Sequence, residues 1–456
     1  MSEWETSTIG TLCDVGGGEV KTGPFGSQLH QSDYQDTGTP VVMPKDIVNG
    51  KIDESSIARV SESHVERLSR HKLALKDIVY GRRGDIGRQA LITTQNVGWL
   101  CGTGCLRITL GNAPVDNQFL HYYLRLPSVI SWIKNQAIGA TMPNLNTKIL
   151  RSVLVHFPKD IYHQKKIAAI LSAYDDLIEN NNRRIALLEQ MAEEIYREWF
   201  VRMRFPGYEQ ATFHQGVPEG WEMVKVSKAF DFTGGGTPSK KEARYWEEGD
   251  INWFTPTDIT SSDGIMISNS GVKCTNEGLN NSSAKMFPSY SVMMTSRATI
   301  GAIGINTNPA CTNQGFITCI PNKTYPLSYL YHWLKINKPY FEILATGATF
   351  AELTKGTFKK ISILTPPKGI TNQFVRLISP FFKSIEARLS KTNTLKQTRD
   401  RLLSRLISGK LSVEELDIQF PPSMEEMEEA RESGRLRGEA LKPLLQASPT
   451  HQPCVP

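Results

Sequence analysis

The sequence predicts a mixed α/β (α+β) fold, in which two globular domains alternate with two long helices as a pseudo-two-fold object. Three observations carry that prediction. Segments of the first half recur in the second at a nearly constant offset of 208–214 residues, the signature of a duplication. The stretch 165–200 keeps an unbroken heptad of apolar positions, the pattern of a coiled-coil seam. Ahead of it, short alternating runs are punctuated by glycine, as strands and hairpins are.

At 456 residues the chain is long enough for two or three domains. The net charge is +6, and it is unevenly spread: residues 411–456 hold nine acidic and four basic side chains, leaving +11 on residues 1–410. A basic surplus of that kind favours a polyanionic partner. No run of 18 apolar residues occurs, and MSEWETSTIG lacks the basic-then-apolar order of a signal peptide, so the expected location is cytoplasmic, with no membrane partner. The seven scattered cysteines are expected to be reduced thiols. Cys101, Cys105 and His121 fit no common zinc spacing, and no metal site is expected.

The repeats run in order along both halves. VVMPKDIVNGKI (41–52) corresponds to NWFTPTDITSSDGI (252–265), and GRRGDIGRQALI (81–92) to TSRATIGAIGIN (295–306), with Arg83 opposite Arg297 and Gly87 opposite Gly301. FLHYYL (119–124) matches YLYHWL (329–334), and the segment 138–159 matches 346–368; Cys101 and Cys311 are also expected to fall in register. LALKDIVYGRRGDIGRQALIT and SYSVMMTSRATIGAIGINT each read as a hairpin. A helix follows in each copy, so each front part is a mixed domain of about 150 residues.

Two glycine triplets invite a phosphate-binding reading that their spacing does not support. GGGTPSK (234–240) lacks the Gly-Lys-Ser/Thr ending of a P-loop, and DVGGGEV (14–20) only loosely matches a methyl-donor loop. Both triplets precede the VVMPKDI and NWFTPTDI segments. The expectation is that they are equivalent turns leading out of the first short element of each repeat.

In the first helix, positions 167, 171, 174, 178, 181, 185, 188, 192, 195 and 199 alternate steps of four and three, and Asn181 is the one strongly polar residue among them. A single Asn in such a seam fixes register at some cost in stability. The second helix, 371–408, runs Val375, Ile378, Phe382, Ile385 and Leu389, then slips near Thr392 before Leu395, Leu402 and Leu406. The expected arrangement is an antiparallel coiled coil between the two. A 36-residue helix would span about 54 Å, on the order of 16 base pairs of duplex. The domains expected are 1–160 and 205–368, the helices 161–204 and 369–410, and a tail, 411–456, that is a weak helix or disordered.

This layout resembles the specificity subunit of type I restriction–modification systems. The segments that carry the resemblance are TGPFGSQLHQSDYQDTGTPVVMPKDI (22–47), GGGTPSKKEARYWEEGDINWFTPTDI (234–259), IENNNRRIALLEQMAEEIYREWFVRMRFPG (178–207) and LLSRLISGKLSV (402–413). The resemblance implies a non-catalytic reader of double-stranded DNA, with one target-recognition domain for each half of a split target and the helices setting the gap. It implies two modification (methyltransferase) subunits docked on the helices and a separate restriction (translocase–nuclease) subunit. No cofactor is expected in this chain; S-adenosylmethionine, ATP and magnesium would belong to the partners. The residues agree in what they lack. LTPPK (364–368) and QFPPS (419–423) have no acidic or amide residue directly before their prolines, the group that would hold the amine of a flipped base.

Arginines at hairpin tips are the natural base readers, since a guanidinium bridges guanine O6 and N7 in the major groove. These are Arg82, Arg83 and Arg88 in the first domain and Arg297 in the second. Lys45 and the cluster Lys240, Lys241 and Arg244 are expected to contact phosphate. Gln28, His30 and Gln31 have no counterparts in the second copy, so half-site differences are expected there. Tyr34, Tyr245, Trp246 and Trp253 are expected in the core. Other readings use the same features: a DNA-reading subunit of another methylation or phage-defence assembly, a self-sufficient methyltransferase, or a coiled-coil adaptor that binds protein only.

Overall fold

The computed structural model describes residues 3–137, 144–347 and 351–432. Parts of the repeated segments (138–143 and 348–350), the tail beyond residue 432 and Cys454 lie outside the described residues. The chain divides into two compact units, 1–178 with 395–456, and 179–394. Each long helix, Ile161–Phe200 and Lys368–Ile407, therefore contributes a part to each unit.

In the first unit a four-stranded antiparallel sheet runs in the order Gly17–Thr22, Cys105–Gly111, Ile78–Gly81, Gln89–Leu91. Beside it, Thr39–Val42 pairs antiparallel with Ala58–Val60 and parallel with Leu100–Cys101. The second unit repeats the plan. Phe232–Gly234, Phe316–Cys319, Val292–Thr295 and Ile303–Asn306 form the antiparallel sheet, with Met266–Ile267 added in parallel. Ile251–Phe254 pairs parallel with Ala310–Thr312. Both expected hairpins form, because Gly87 and Gly301 supply the positive φ, 119° and 79°, that closes each loop.

The strand pairing corrects two of the sequence alignments. Thr22 pairs with Leu106, which faces Tyr80, whereas Gly234 pairs with Ile317, which faces Met294. Gly23 is thus the equivalent of Gly235, and the two glycine triplets are not equivalent: one opens its strand and the other closes its own. What each copy preserves is a close approach. A Cβ on Gly23 would sit 1.9 Å from the Gly102 carbonyl oxygen, and one on Gly235 would sit 2.0 Å from that of Thr312. Likewise Val41 pairs with Leu100 while its equivalent Trp253 pairs with Cys311, so Cys311 aligns with Leu100 and not with Cys101.

The two long helices pack antiparallel in both units. In the first, Ile167 and Leu171 share a core with Leu403 and Leu406, and Asp175 meets Arg399. In the second, Ile185 packs on Ile385 and Leu389, while Asn181 accepts a hydrogen bond from Arg388 at 3.3 Å. Near the far end Tyr196 packs on Phe374, 5.9 Å between rings.

Of the two expectations for the tail, a helix or disorder, the helix holds for residues 422–432, and part of the segment is also packed into the core. Val413, Met424 and Met427 are buried in the first unit's core, and Pro422–Glu432 is a helix. Lys166 holds the approach to it by donating to the carbonyls of Glu414 and Leu416, both at 2.7 Å. Glu428 pairs with Lys76 at 2.7 Å. Among the described residues, no helix is long and apolar enough to cross a membrane.

Candidate nucleic-acid interface

In each unit one end of the antiparallel sheet gathers the same set of loops, tied together by equivalent backbone hydrogen bonds. In the first, Gly102 N–H donates to Val42 O at 2.9 Å, Arg82 N–H to Gly104 O at 2.9 Å and Leu145 N–H to Arg82 O at 2.9 Å. In the second, Asn313 N–H donates to Phe254 O at 3.0 Å, Ser296 N–H to Gly315 O at 2.7 Å and Leu353 N–H to Ser296 O at 2.9 Å. The repeated Pro-x-Asp completes the corner. Asp46 accepts from Met43 N–H at 2.9 Å and Asp258 from Thr255 N–H at 2.7 Å, each closing a turn that opens on a proline already held near the helical φ.

The structure brings most of the sequence-predicted residues to these corners and separates their environments. Arg83 is exposed on the first hairpin loop. Arg82 is half-buried there, and its Nε and Nη2 donate to Asn144 Oδ1, both at 3.2 Å. Burial, with the neighbouring Arg83, lowers the pKa of Arg82 from its ordinary value. Arg88 is tied to Asp85 at 3.3 Å. Lys45, on the Pro44–Asp46 turn, donates to Ser56 O at 2.8 Å and lies 3.2 Å from Asp46. In the second unit Arg297 Nε lies 2.9 Å from Glu352 Oε1.

The loop after Gly235 is pinned by two indoles. Trp253 Nε1–H donates to Gly236 O at 2.9 Å and Trp246 Nε1–H to Ser239 O at 3.0 Å, and the rings meet edge to face at 4.9 Å. Trp253 and Tyr245 are buried; Trp246 and Tyr34 are half-buried. This anchoring presents Lys240 and Lys241, both exposed. Among the described residues, nothing forms a hydrogen bond or ion pair with the side chains of Arg83, Lys240 or Lys241. Arg244 differs. It pairs with Glu277 at 2.8 Å and Glu242 at 3.3 Å and lies over the Tyr245 ring, and the Glu277 carboxylate raises its pKa further. In the first unit the corresponding loop offers exposed His30 and Gln31, while the Gln28 side chain accepts from Phe25 N–H.

Sequence reasoning missed Asn144 and Glu352, which reach the hairpin arginines from equivalent positions. The signal was available, because the repeat places these residues opposite each other. Chemically, the corners are donor-rich surfaces. Among the described residues, no group of three or more His, Cys, Asp or Glu side chains is set to hold a metal ion.

The chain thus falls in a class of proteins with a duplicated α+β scaffold, a loop corner repeated in each copy and an antiparallel pair of long helices. The profile of the family described as "Type I restriction modification DNA specificity domain" matches residues 1–190 and 218–397, and the chain belongs to that family. It is 23% identical over 424 residues to the putative type I restriction enzyme MjaX specificity subunit of Methanocaldococcus jannaschii, covering 90% of this chain and 94% of that one. It is 24% identical over 435 residues to the HindI specificity subunit of Haemophilus influenzae, covering 80% and 93%. Over 201 residues, 44% of this chain and 46% of the other, it is 31% identical to the MjaIX specificity subunit of M. jannaschii. The crystal structure of the type I S subunit from M. genitalium superposes with a TM-score of 0.54 at 16% identity, over 89% of this chain and 96% of that one.

Proposed function

We propose that the chain is the DNA-reading subunit of a type I restriction–modification assembly and recognises a bipartite target, one half-site per unit. The observation that carries this reading is the loop corner built twice on a family-matched scaffold, with the same backbone ties but different side chains. A shared corner suits a shared ligand, and divergent side chains suit two different base sequences. Arg82, Arg83, Arg88 and Arg297 stand for base readout; Lys45, Lys240, Lys241 and Arg244 stand for phosphate contacts. Of these, Arg88, Arg244, Arg297 and Lys45 lie against carboxylates.

The chain itself is non-catalytic in this reading. Two modification subunits dock on the long helices and bring S-adenosylmethionine for adenine methylation, and a restriction subunit brings the ATP- and magnesium-dependent cleavage. The test is long-read mapping of methylated adenines in the native genome against a strain lacking this gene. The expected result is loss of one split motif, two short defined halves around a fixed gap. Unchanged adenine methylation, in cells where the gene and its modification partner are expressed, would count against the reading.

A further inference from the structure

The same backbone position sits beneath the hairpin loop in both units. Arg83 faces Asn144 and Arg297 faces Glu352 as antiparallel bridges, and the hydrogen bonds from Leu145 and Leu353 hold each strand in place. From that fixed position the two side chains reach different arginines. Asn144 Oδ1 accepts from Arg82. Glu352 Oε1 lies beside Arg297 Nε. The equivalent of Arg82 in the second unit is the buried Ser296, so the brace there has only Arg297 to act upon. Among the described residues the terminal nitrogens of Arg297 make no hydrogen bond, and these form the fork that spans guanine O6 and N7. The Arg297 side chain is 45% exposed, so a ligand can reach it. A guanidinium already held in one plane also loses less rotamer freedom on binding than a free one.

We propose that Glu352 is a positioning residue for base readout, orienting the Arg297 guanidinium toward a guanine of the second half-site, and that Asn144 does the same for Arg82 in the first. This rests on the reading of the chain as a DNA-binding subunit. The competing role for Glu352 is a counter-charge that merely neutralises Arg297. The two roles separate on substitution, because Glu352→Gln keeps an acceptor oxygen at the brace and removes the charge, whereas Glu352→Ala removes both.

The experiment selects duplexes from a random library with the full chain and its modification partner, then measures affinity for the selected duplex and its single-pair variants. Glu352→Gln should keep every preference. Glu352→Ala and Arg297→Lys should each lose discrimination at the same G·C pair, by roughly tenfold to a hundredfold, with affinity for random duplex little changed. Asn144→Ala should relax a pair in the other half-site. Arg297→Lys retains the charge and the fold, so its loss at that pair cannot be blamed on misfolding. The proposal is overturned if Glu352→Gln and Glu352→Ala both tighten binding to random duplex with preferences intact, or if Glu352→Ala leaves every preference unchanged. An unsubstituted complex with no sequence preference would instead remove the DNA-reading function itself, and this proposal with it.

Discussion

The two units share a backbone plan and differ in how they hold their share of the long helices. In the first unit the helix contact adds a buried ionic cluster to its apolar core. Asp175 lies between Arg125 and Arg399 and accepts from Tyr122, with all three charged side chains no more than 15% exposed. Burial pushes the Asp175 carboxyl up, but the two guanidiniums outweigh it and hold it below the usual range. In the second unit the contact is apolar, with Ile185 against Ile385 and Leu389, and one polar crossing from Asn181 to Arg388. A duplicated scaffold can thus keep its geometry while exchanging the chemistry of its contacts. The shape is fixed by backbone ties and close glycine approaches, which tolerate changes in the neighbouring side chains.

The largest expected effect breaks this comparison directly. Asp175→Ala strands two poorly solvated guanidiniums, and removing one partner of a buried ionic cluster costs about 3–5 kcal/mol. Asn181→Leu replaces a polar crossing with apolar packing and should change stability by no more than about 1 kcal/mol, at some loss of register specificity. Urea denaturation, read with hydrogen exchange in each unit, separates the two. Equal losses would mean that the helix contacts are held alike in both units.

A smaller effect separates the units by pH. His332 is buried, bonded to Ser328 O and stacked on Tyr196 at 5.4 Å, and burial pushes its pKa down to about 4. Its folded pKa lies below its unfolded one, so the stability it contributes is present above about pH 6.5 and falls as pH drops toward 4. Between pH 6.5 and 5 the loss is about 2 kcal/mol. In the first unit His121 is pushed down to about 3, mainly by burial, but Asp116, which caps the same helix, has its pKa raised by burial. A raised carboxyl regains stability as pH falls toward its folded pKa, which opposes the histidine. Hydrogen exchange should therefore show the helix Leu327–Ile336 losing protection more steeply than Asn117–Tyr123 as the pH falls toward the range in which Asp116 takes up its proton. A steeper loss in Asn117–Tyr123 would mean that the Asp116 offset does not operate.

What was legible in the sequence follows from which constraints are local. The heptad over 165–200 and the two hairpins were readable because each is set by residues a few positions apart. The glycine triplets were aligned wrongly because a glycine's role depends on which distant carbonyl approaches it, Gly102 for Gly23 and Thr312 for Gly235. Similarly, the acidic composition of the tail hid Val413, Met424 and Met427, whose burial depends on a surface supplied by the first unit. At the candidate interface, arginine identity marked the hairpins, but it gave no means of telling Arg82 from Arg83. One is braced and half-buried and the other exposed, and the difference comes from Asn144, about 60 residues away.

The smallest expected effect concerns phosphate. The second unit presents Lys240 and Lys241 from a loop pinned by two indoles, whereas the corresponding loop of the first presents His30 and Gln31, and its open cation is Arg83 on the hairpin. If both units grip backbone, they do so from different loops. Each phosphate contact contributes about 0.9 to the slope of log affinity against log salt. Lys240→Gln with Lys241→Gln should therefore lower that slope by about 1.8 with the preferred sequence unchanged, whereas Arg83→Gln, at a base reader, should relax the preferred sequence. Filter binding across a salt series on one selected duplex and one random duplex makes the measurement. A slope change confined to the selected duplex would turn the cation concerned into a base reader, because a contact to phosphate alone is blind to sequence. Parallel loss on both duplexes would leave base discrimination to the braced arginines. The comparison between the units then becomes one of division of labour, with charge carried on exposed loop tips and orientation supplied by the position beneath the hairpin.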